Sequence, residues 1–267
     1  MNLNLWQFAV YALAVAAVFG GERLARKYKS GALVALLVIV SIPALIFDLY
    51  YTHLWAEPMW LYRIRAIPGS ECLAAPLGLF VGWVRARLPQ RWTFSRLTTC
   101  GLMILFLAVP YGKGYFPMTP APKDMKPHWR DDVCLQTLPS SCGAAAGATV
   151  LKALGIAASE ADLARDAHTT VTGTENWYLK RALESHGVNC RYEKFQPPVP
   201  RLPFPSIAGV HLGPISGHFI AILAETETGY IIGEPTSGRK IIRKDLVRSG
   251  YEFTGFFLVL EKSDHSP

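Results

Sequence analysis

Apolar residues follow two patterns along this chain. From residue 1 to about 112 they come in long runs almost free of charge; from Lys113 onward they alternate with polar residues as in a globular sequence. Runs of this length predict helices that cross a membrane, at about 3–20, 32–51, 67–84 and 97–111. The third run is interrupted by Pro68, Glu71 and Pro76, which predicts a tilted or partly re-entrant segment. Gly112 through Pro127 carries four prolines and no periodicity, so 113–132 is expected to be an extended linker. Beyond it, small-residue and 3.6-period segments predict a helix from Cys142 to about Leu154, a short one after the Ser159–Asp162 cap, and a third from Asn176 through Ser185. Period-two segments then predict strands at 189–195, 206–212, 217–223, 229–232, 240–242 and 255–260. Helices first and strands later give an α+β domain at 133–262, with helices packed on an antiparallel sheet, and a tail at 263–267. The proline-rich stretch 196–205 is expected to be a crossing loop and not a central strand.

Charge sharpens the picture of the first half. Of the net charge of +7, much lies in two clusters, one from Glu22 to Lys29 and one holding Arg85, Arg87, Arg91 and Arg96. Basic loops mark the cytoplasmic side, so four spans with both clusters inside put the N-terminus and the α+β domain outside. The first run is read as a retained helix and not a signal peptide, because its basic residues follow it. The expected location is a bacterial inner membrane with an extracytoplasmic domain, in contact with membrane lipids. Topology accounts for the charge, and no basic helix face in the second half calls for nucleic acid.

Chemistry concentrates in the α+β half. Cys142 sits where a loop with Pro139, Ser140 and Ser141 enters a helix-forming run. A thiol at a helix N-terminus is favoured as the thiolate, the nucleophilic form. Gln136 is placed to offer an amide N–H to an oxyanion. His218 opens one strand and Glu234 closes its predicted hairpin partner across the Thr226–Gly229 turn, which makes base and orienting carboxylate neighbours. Alone, Cys142 would be read as a small buried hydrophobe and His218 as a structural strand residue. Cysteine, histidine and carboxylate in this order favour an activated nucleophile.

From about Val133 to Val259 the sequence resembles the bacteriocin-processing, double-glycine-leader peptidases, which are papain-like cysteine peptidases. The residues that carry the resemblance are Gln136, Cys142-Gly143, Gly173-Thr174, Gly217-His218-Phe219 and Glu234-Pro235. The resemblance implies Cys142 as nucleophile, His218 as general base and acid, Gln136 as oxyanion donor, Glu234 in the place usually held by Asp, and Gly143, Gly173, Thr174 and Gly217 at the substrate. It also implies a peptide substrate with glycines before the cut, although the transporter domain usually fused to such peptidases is not read in this sequence. The expected partner is a peptide or a small membrane-associated protein, and no cofactor is expected.

Over roughly Pro43 to Phe80 the sequence is also similar to the lycopene cyclase membrane domain, with Glu71 alone where that family has paired glutamates. Asp48 and Glu71 lie in or beside apolar runs and are candidates for a lipid or isoprenoid site. The plainer reading of His53, Trp55, Glu57, Trp60, Tyr62, Arg63 and Arg65 is an aromatic belt with snorkelling arginines. Of the five cysteines, Cys72 and Cys100 read as small membrane residues, and a Cys134–Cys190 bridge is conceivable outside the cytoplasm. No Cys or His spacing fits zinc. His128, His168, His186, His211 and His265 read as structural or surface residues. The favoured function is a membrane-anchored cysteine endopeptidase. Its rivals are an inactive peptide-binding domain of the same fold, and a lipid-binding membrane protein with a regulatory outer domain.

Overall fold

A computed structural model describes residues 4–51, 58–89, 94–111, 122–212, 217–249 and 252–263. The chain divides into two compact units, one of residues 3–58 and 67–116, the other of 59–66 and 117–267 together with the first two residues. His53, Trp55, Glu57, Arg91, His265 and residues 113–121 of the expected linker lie outside the described residues.

The first unit is helical. Helices α1 (Leu5–Lys27) and α2 (Gly31–Tyr51) are each long and apolar enough to cross a membrane. Many of their large apolar side chains, including Leu13, Phe19, Leu36, Ile39 and Leu45, face outward, as expected of a surface that meets lipid tails. Against the four runs expected, two helices among the described residues meet the requirement by length and composition, or three if α3 (Met59–Arg65) and the segment Ser70–Arg87 count as one broken span. The reason is local. Pro68, Gly69 at φ +83° and Pro76 break the third run, so it forms a 3-10 turn at Ser70–Ala74 before α4 (Leu77–Arg87) begins. The fourth, α5 (Arg96–Tyr111), has 16 residues, or about 24 Å at 1.5 Å per residue, short of the hydrocarbon thickness of about 30 Å.

Helices α1 and α4 touch backbone to backbone. A Cβ at Gly78 would stand 2.1 Å from the Ala14 carbonyl oxygen, and one at Gly82 would stand 2.0 Å from that of Val18. Small residues four apart thus let two apolar helices approach where no hydrophobic force separates protein from lipid. At the other end of α1, the carboxylate of Glu22 is buried and meets Arg85 at 2.6 Å and Arg96 at 3.0 Å, with Arg26 at 3.9 Å. The two basic clusters of the sequence therefore lie at one end of this unit, gathered by a single acid.

The second unit is the expected α+β domain. Strand pairing begins at Trp129, four residues before the predicted start, with a hairpin of β1 (Trp129–Arg130) and β2 (Val133–Cys134) turned by Asp131 and Asp132, both at positive φ. Helices α6 (Cys142–Ala153), α7 (Glu160–Asp166) and α8 (Asn176–Ser185) follow. The strands are β3 (Val188–Lys194), β4 (Ser206–His211), β5 (Gly217–Glu225), β6 (Gly229–Glu234), β7 (Gly238–Arg243) and β8 (Phe253–Lys262). They form one antiparallel sheet in the order β3-β8-β4-β5-β6-β7. A further helix, α9 (Lys244–Ser249), was not foreseen.

Every residue of α6 from Cys142 to Leu151 is buried, which its run of alanines and glycines permits. A Cβ at Gly147 would come within 2.9 Å of Leu163, and one on the sheet at Gly233 within 2.8 Å of Thr149. Helix α6 is thus fixed against both α7 and the sheet. The other core gathers Val210, Ile220, Ile222, Ile232 and Phe257 with Val199 and Leu202, so the proline-rich stretch is a crossing loop with two side chains sunk in the core.

Of the residues read as an aromatic belt, Trp60 and Arg63 are exposed, whereas Tyr62 and Arg65 pack inward. Their segment packs as part of the second unit: Tyr62 lies 5.8 Å from both Tyr192 and Phe256, ring centre to ring centre, and the Arg65 guanidinium stacks 4.5 Å above Trp177. Arg181 donates to the carbonyls of Arg65 and Ala66. Arg65 is buried and does not snorkel.

Candidate active site

Cys142 is the first residue of α6, so its N–H lies outside the helix's own hydrogen-bond ladder. The Ser141 hydroxyl donates to the Leu138 carbonyl and accepts from the Leu138 N–H, which closes the loop before the helix. His218, second residue of β5, is paired with Val210 of β4. The register Ala221 with Gly233 sets Glu234 opposite position 220, so His218 and Glu234 are diagonal neighbours on one sheet face. His211 occupies the opposite face of β4 from Val210, and so turns away from His218.

The imidazole of His218 is buried between two partners. Its Nε2 lies 2.7 Å from Glu234 Oε1, and the ring lies close enough to Cys142 for the thiol to act on its pKa. With Nε2 committed to the carboxylate, Nδ1 is the nitrogen left for the thiol. Burial pulls the imidazole pKa down, but the interactions with Cys142 and Glu234 outweigh it and raise it from 6.5 to about 9. The raised pKa favours the protonated ring near neutral pH.

Glu234 accommodates its extra methylene through the residue two beyond it. Its Oε1 accepts from the Thr236 N–H at 3.1 Å and from the Thr236 hydroxyl at 3.0 Å, in addition to His218. Burial pushes the carboxyl pKa up, but the His218 and Thr236 hydrogen bonds overcome it and hold it below the ordinary value. Thr236 was missed in the sequence; its signal was the acid-Pro-Thr spacing, which lets a side chain close on backbone two residues on.

Gln136 is fixed at both ends. Its N–H donates to the Pro235 carbonyl at 2.8 Å, and its side-chain Nε2 donates to the Leu138 carbonyl at 2.8 Å, leaving one amide hydrogen uncommitted. The loop bearing the expected oxyanion donor is thus tied to the residue after Glu234. Gly143 is buried, and a Cβ there would press on Thr174 at 3.1 Å and on Phe219 at 3.2 Å. The three motifs Cys142-Gly143, Gly173-Thr174 and Gly217-His218-Phe219 therefore meet at Gly143. Thr174 also shares a 2.7 Å hydroxyl contact with Thr169. Gly173, at φ +115°, and Gly217 differ from Gly143: a Cβ at either would enter open space.

Two other cysteines lack this setting. Burial and the charge of Glu160 push the Cys134 thiol up to about 12, and burial and Glu184 do the same for Cys190, also to about 12. All five cysteines are free, so the conceivable Cys134–Cys190 bridge is corrected. The strand β2 packs beside β6 and β7, whereas β3 is the far edge of the sheet. Four strand spacings of about 4.8 Å separate β3 from β6, far beyond the roughly 7 Å reach of a disulfide.

Asp48 on α2 and Glu71 in the 3-10 turn are both buried in the helical unit, in elements that pack on each other. The Tyr111 hydroxyl donates to the Glu71 carbonyl at 3.2 Å. Among the described residues no group of His, Cys, Asp and Glu is arranged to hold a metal ion.

Residues 130–265 match the family described as the Peptidase C39 family. An uncharacterized protein of Methanothermobacter marburgensis is 36% identical over 142 residues, 53% of this chain and 96% of that protein. An uncharacterized protein of Methanothermobacter thermautotrophicus is 32% identical over 130 residues, 49% of this chain and 88% of that protein. Among solved structures, a double glycine motif protease from an AMS/PCAT transporter in complex with the leader peptide is 20% identical, with a TM-score of 0.43 over 49% of this chain and 91% of that one. The peptidase domain of Streptococcus ComA, a bi-functional ABC transporter involved in a quorum sensing pathway, is 25% identical, with a TM-score of 0.42 over 48% of this chain and 96% of that one.

Proposed function

We propose, from the premise that this chain belongs to the Peptidase C39 family, that it is an active, membrane-anchored cysteine endopeptidase acting through Cys142, His218 and Glu234. The observation that carries the reading is a single buried imidazole hydrogen-bonded to a carboxylate, with the Cys142 thiol at the start of α6 as its electrostatic neighbour. A thiol, an imidazole and a carboxylate so placed are the parts of an activated nucleophile.

In the proposed reaction the Cys142 thiolate attacks a peptide carbonyl. The developing oxyanion is met by the Cys142 N–H and by the free amide hydrogen of Gln136. His218 gives its proton to the departing amine, leaving a thioester on Cys142. Neutral His218 then takes a proton from water as it attacks the thioester, the second oxyanion is held as before, and the thiolate leaves beside the restored imidazolium. Glu234, held by Thr236, keeps Nδ1 of the ring aimed at sulfur throughout.

The substrate class is a peptide or small membrane-associated protein with small residues before the scissile bond. The open space beside Gly173 and Gly217 suits a chain that approaches the backbone closely. Residues 1–112, apart from 59–66, act as the membrane anchor, 113–128 serve as connection and 129–262 as the peptidase. The end of the anchor that gathers Arg85 and Arg96 on Glu22 faces the cytoplasm by the positive-inside bias, and the peptidase domain works outside it.

The test is hydrolysis of a fluorogenic peptide with Gly-Gly before the cleaved bond by the detergent-solubilised full chain. Hydrolysis by wild type and none by Cys142→Ala is expected, together with labelling of wild type alone by an active-site thiol probe. Probe labelling at Cys142 with no cleavage of any peptide in a diverse library would leave a binding domain instead. Comparison of membrane proteomes with wild type and Cys142→Ala then identifies the natural substrate.

A further inference from the structure

Glu160 is a buried acid that the proposed reaction does not use, only 2% exposed at the start of α7. A carboxylate so placed is costly unless its oxygens are satisfied. Among the described ion pairs none includes it; instead Oε1 accepts from the Thr137 N–H at 2.8 Å and Oε2 from the Thr137 hydroxyl at 2.6 Å. Both oxygens are spent on the residue next to Gln136. The Thr137 N–H belongs to the same peptide plane as the Gln136 carbonyl, while the Gln136 N–H donates to Pro235. The backbone of Gln136 is therefore pinned on both sides, by a charge on one and by the segment after Glu234 on the other. Only side-chain rotation remains, and the bond to the Leu138 carbonyl removes that. In the sequence Glu160 reads as the ordinary acidic first turn of a capped helix; the Ser159–Asp162 capping box forms without it, which leaves Glu160 free to turn inward.

We propose that Glu160 is a positioning residue for oxyanion stabilisation, acting through Thr137 to hold Gln136 where negative charge develops on the substrate carbonyl. The proposal rests on the reading of this domain as a peptidase with Gln136 as donor. A charge-assisted pair of hydrogen bonds suits the task, because a donor that must stabilise a transient oxyanion has to be in place before the charge appears. The cost of losing its support is smaller than the roughly 100-fold cost of losing a donor outright.

The experiment compares Glu160→Gln, Thr137→Val, Gln136→Ala and the Gln136→Ala/Glu160→Gln pair in the full chain. It measures kcat and KM on the Gly-Gly fluorogenic peptide and, separately, the rate of Cys142 alkylation by iodoacetamide. Alkylation needs the thiolate and no oxyanion, so it reports whether the Cys142–His218 pair is intact. Glu160→Gln is expected to lower kcat about ten-fold with KM within about two-fold, and Thr137→Val to lower it less. Alkylation should stay within about two-fold of wild type, and Glu160→Gln should cost little once Gln136 is already Ala. Unchanged kcat in Glu160→Gln, an equal loss in the Gln136→Ala background, or a parallel fall in alkylation would each overturn the assignment. Absence of hydrolysis by wild type, or full hydrolysis by Gln136→Ala, would overturn the underlying reading along with it.

Discussion

Two buried carboxylates, one in each unit, show how partner choice decides what a charge does. Glu22 in the helical unit is surrounded by the guanidinium groups of Arg26, Arg85 and Arg96. Its work is to gather three helices. Glu234 in the α+β unit faces His218, whose proton can leave, and Thr236, which only orients. The first arrangement is a clamp and the second a switchable pair. The lesson is that burial alone does not mark a functional acid; a titratable neighbour does.

The largest way to test the contrast is to remove what the switchable pair acts on. Cys142→Ala is expected to reduce hydrolysis at least about 1,000-fold with the fold intact by circular dichroism. Activity that survived would deny the pair any catalytic purpose. Next, Glu234→Gln keeps the shape and removes the charge, so hydrolysis should fall by about 10- to 100-fold. It should also move the alkaline limb of the pH–rate profile. Because the His218 pKa is raised to about 9, its contribution to stability and to the charged pair is complete below about 6.5 and is lost as pH rises through about 9. Without the carboxylate that loss should come at lower pH, and an unmoved limb would show that Glu234 does not face the imidazole.

Glu22→Gln should do the reverse. Removing one member of a buried charged group destabilises by about 2–3 kcal/mol here, at the low end because Arg96 is half exposed and can turn to water. Thermal unfolding of the helical unit in detergent should show it, with the pH profile of hydrolysis unchanged; a shifted profile would break the comparison. The smallest effect is expected from Arg65→Ala, which removes a stacked cation from Trp177 and should cost about 1–2 kcal/mol in the α+β unit. Unfolding monitored by tryptophan fluorescence reads it directly, and no change would mean that the 59–66 segment contributes little to that unit.

Much of the α+β unit was legible from local patterns. The helix starting at Cys142, the helix from Asn176 to Ser185 and all six sheet strands fell within two residues of their expected limits, because each is set by nearby side chains. Helix α9 was missed, since a short charged segment such as Lys244–Ser249 carries little periodic signal. In the helical unit the apolar runs outnumber the long apolar helices among the described residues, because an apolar run records composition and not whether Pro68, Gly69 and Pro76 let it continue as one helix.

What the sequence determined by itself was the set of reactive groups and their order: a cysteine at a helix start, a histidine at a strand start, an acid at the end of the next strand. Those follow from periodicity and turn chemistry, which act within a few residues. What only the tertiary structure decided was which residues pair with which, namely Thr236 beneath Glu234, Pro235 and Thr137–Glu160 around Gln136, and, away from these groups, Arg65 carried from between apolar runs onto Trp177. These pairings span from 2 to more than 100 positions and follow no period, so they arise from how sheet, helices and loop close on one another and leave no pattern along the chain.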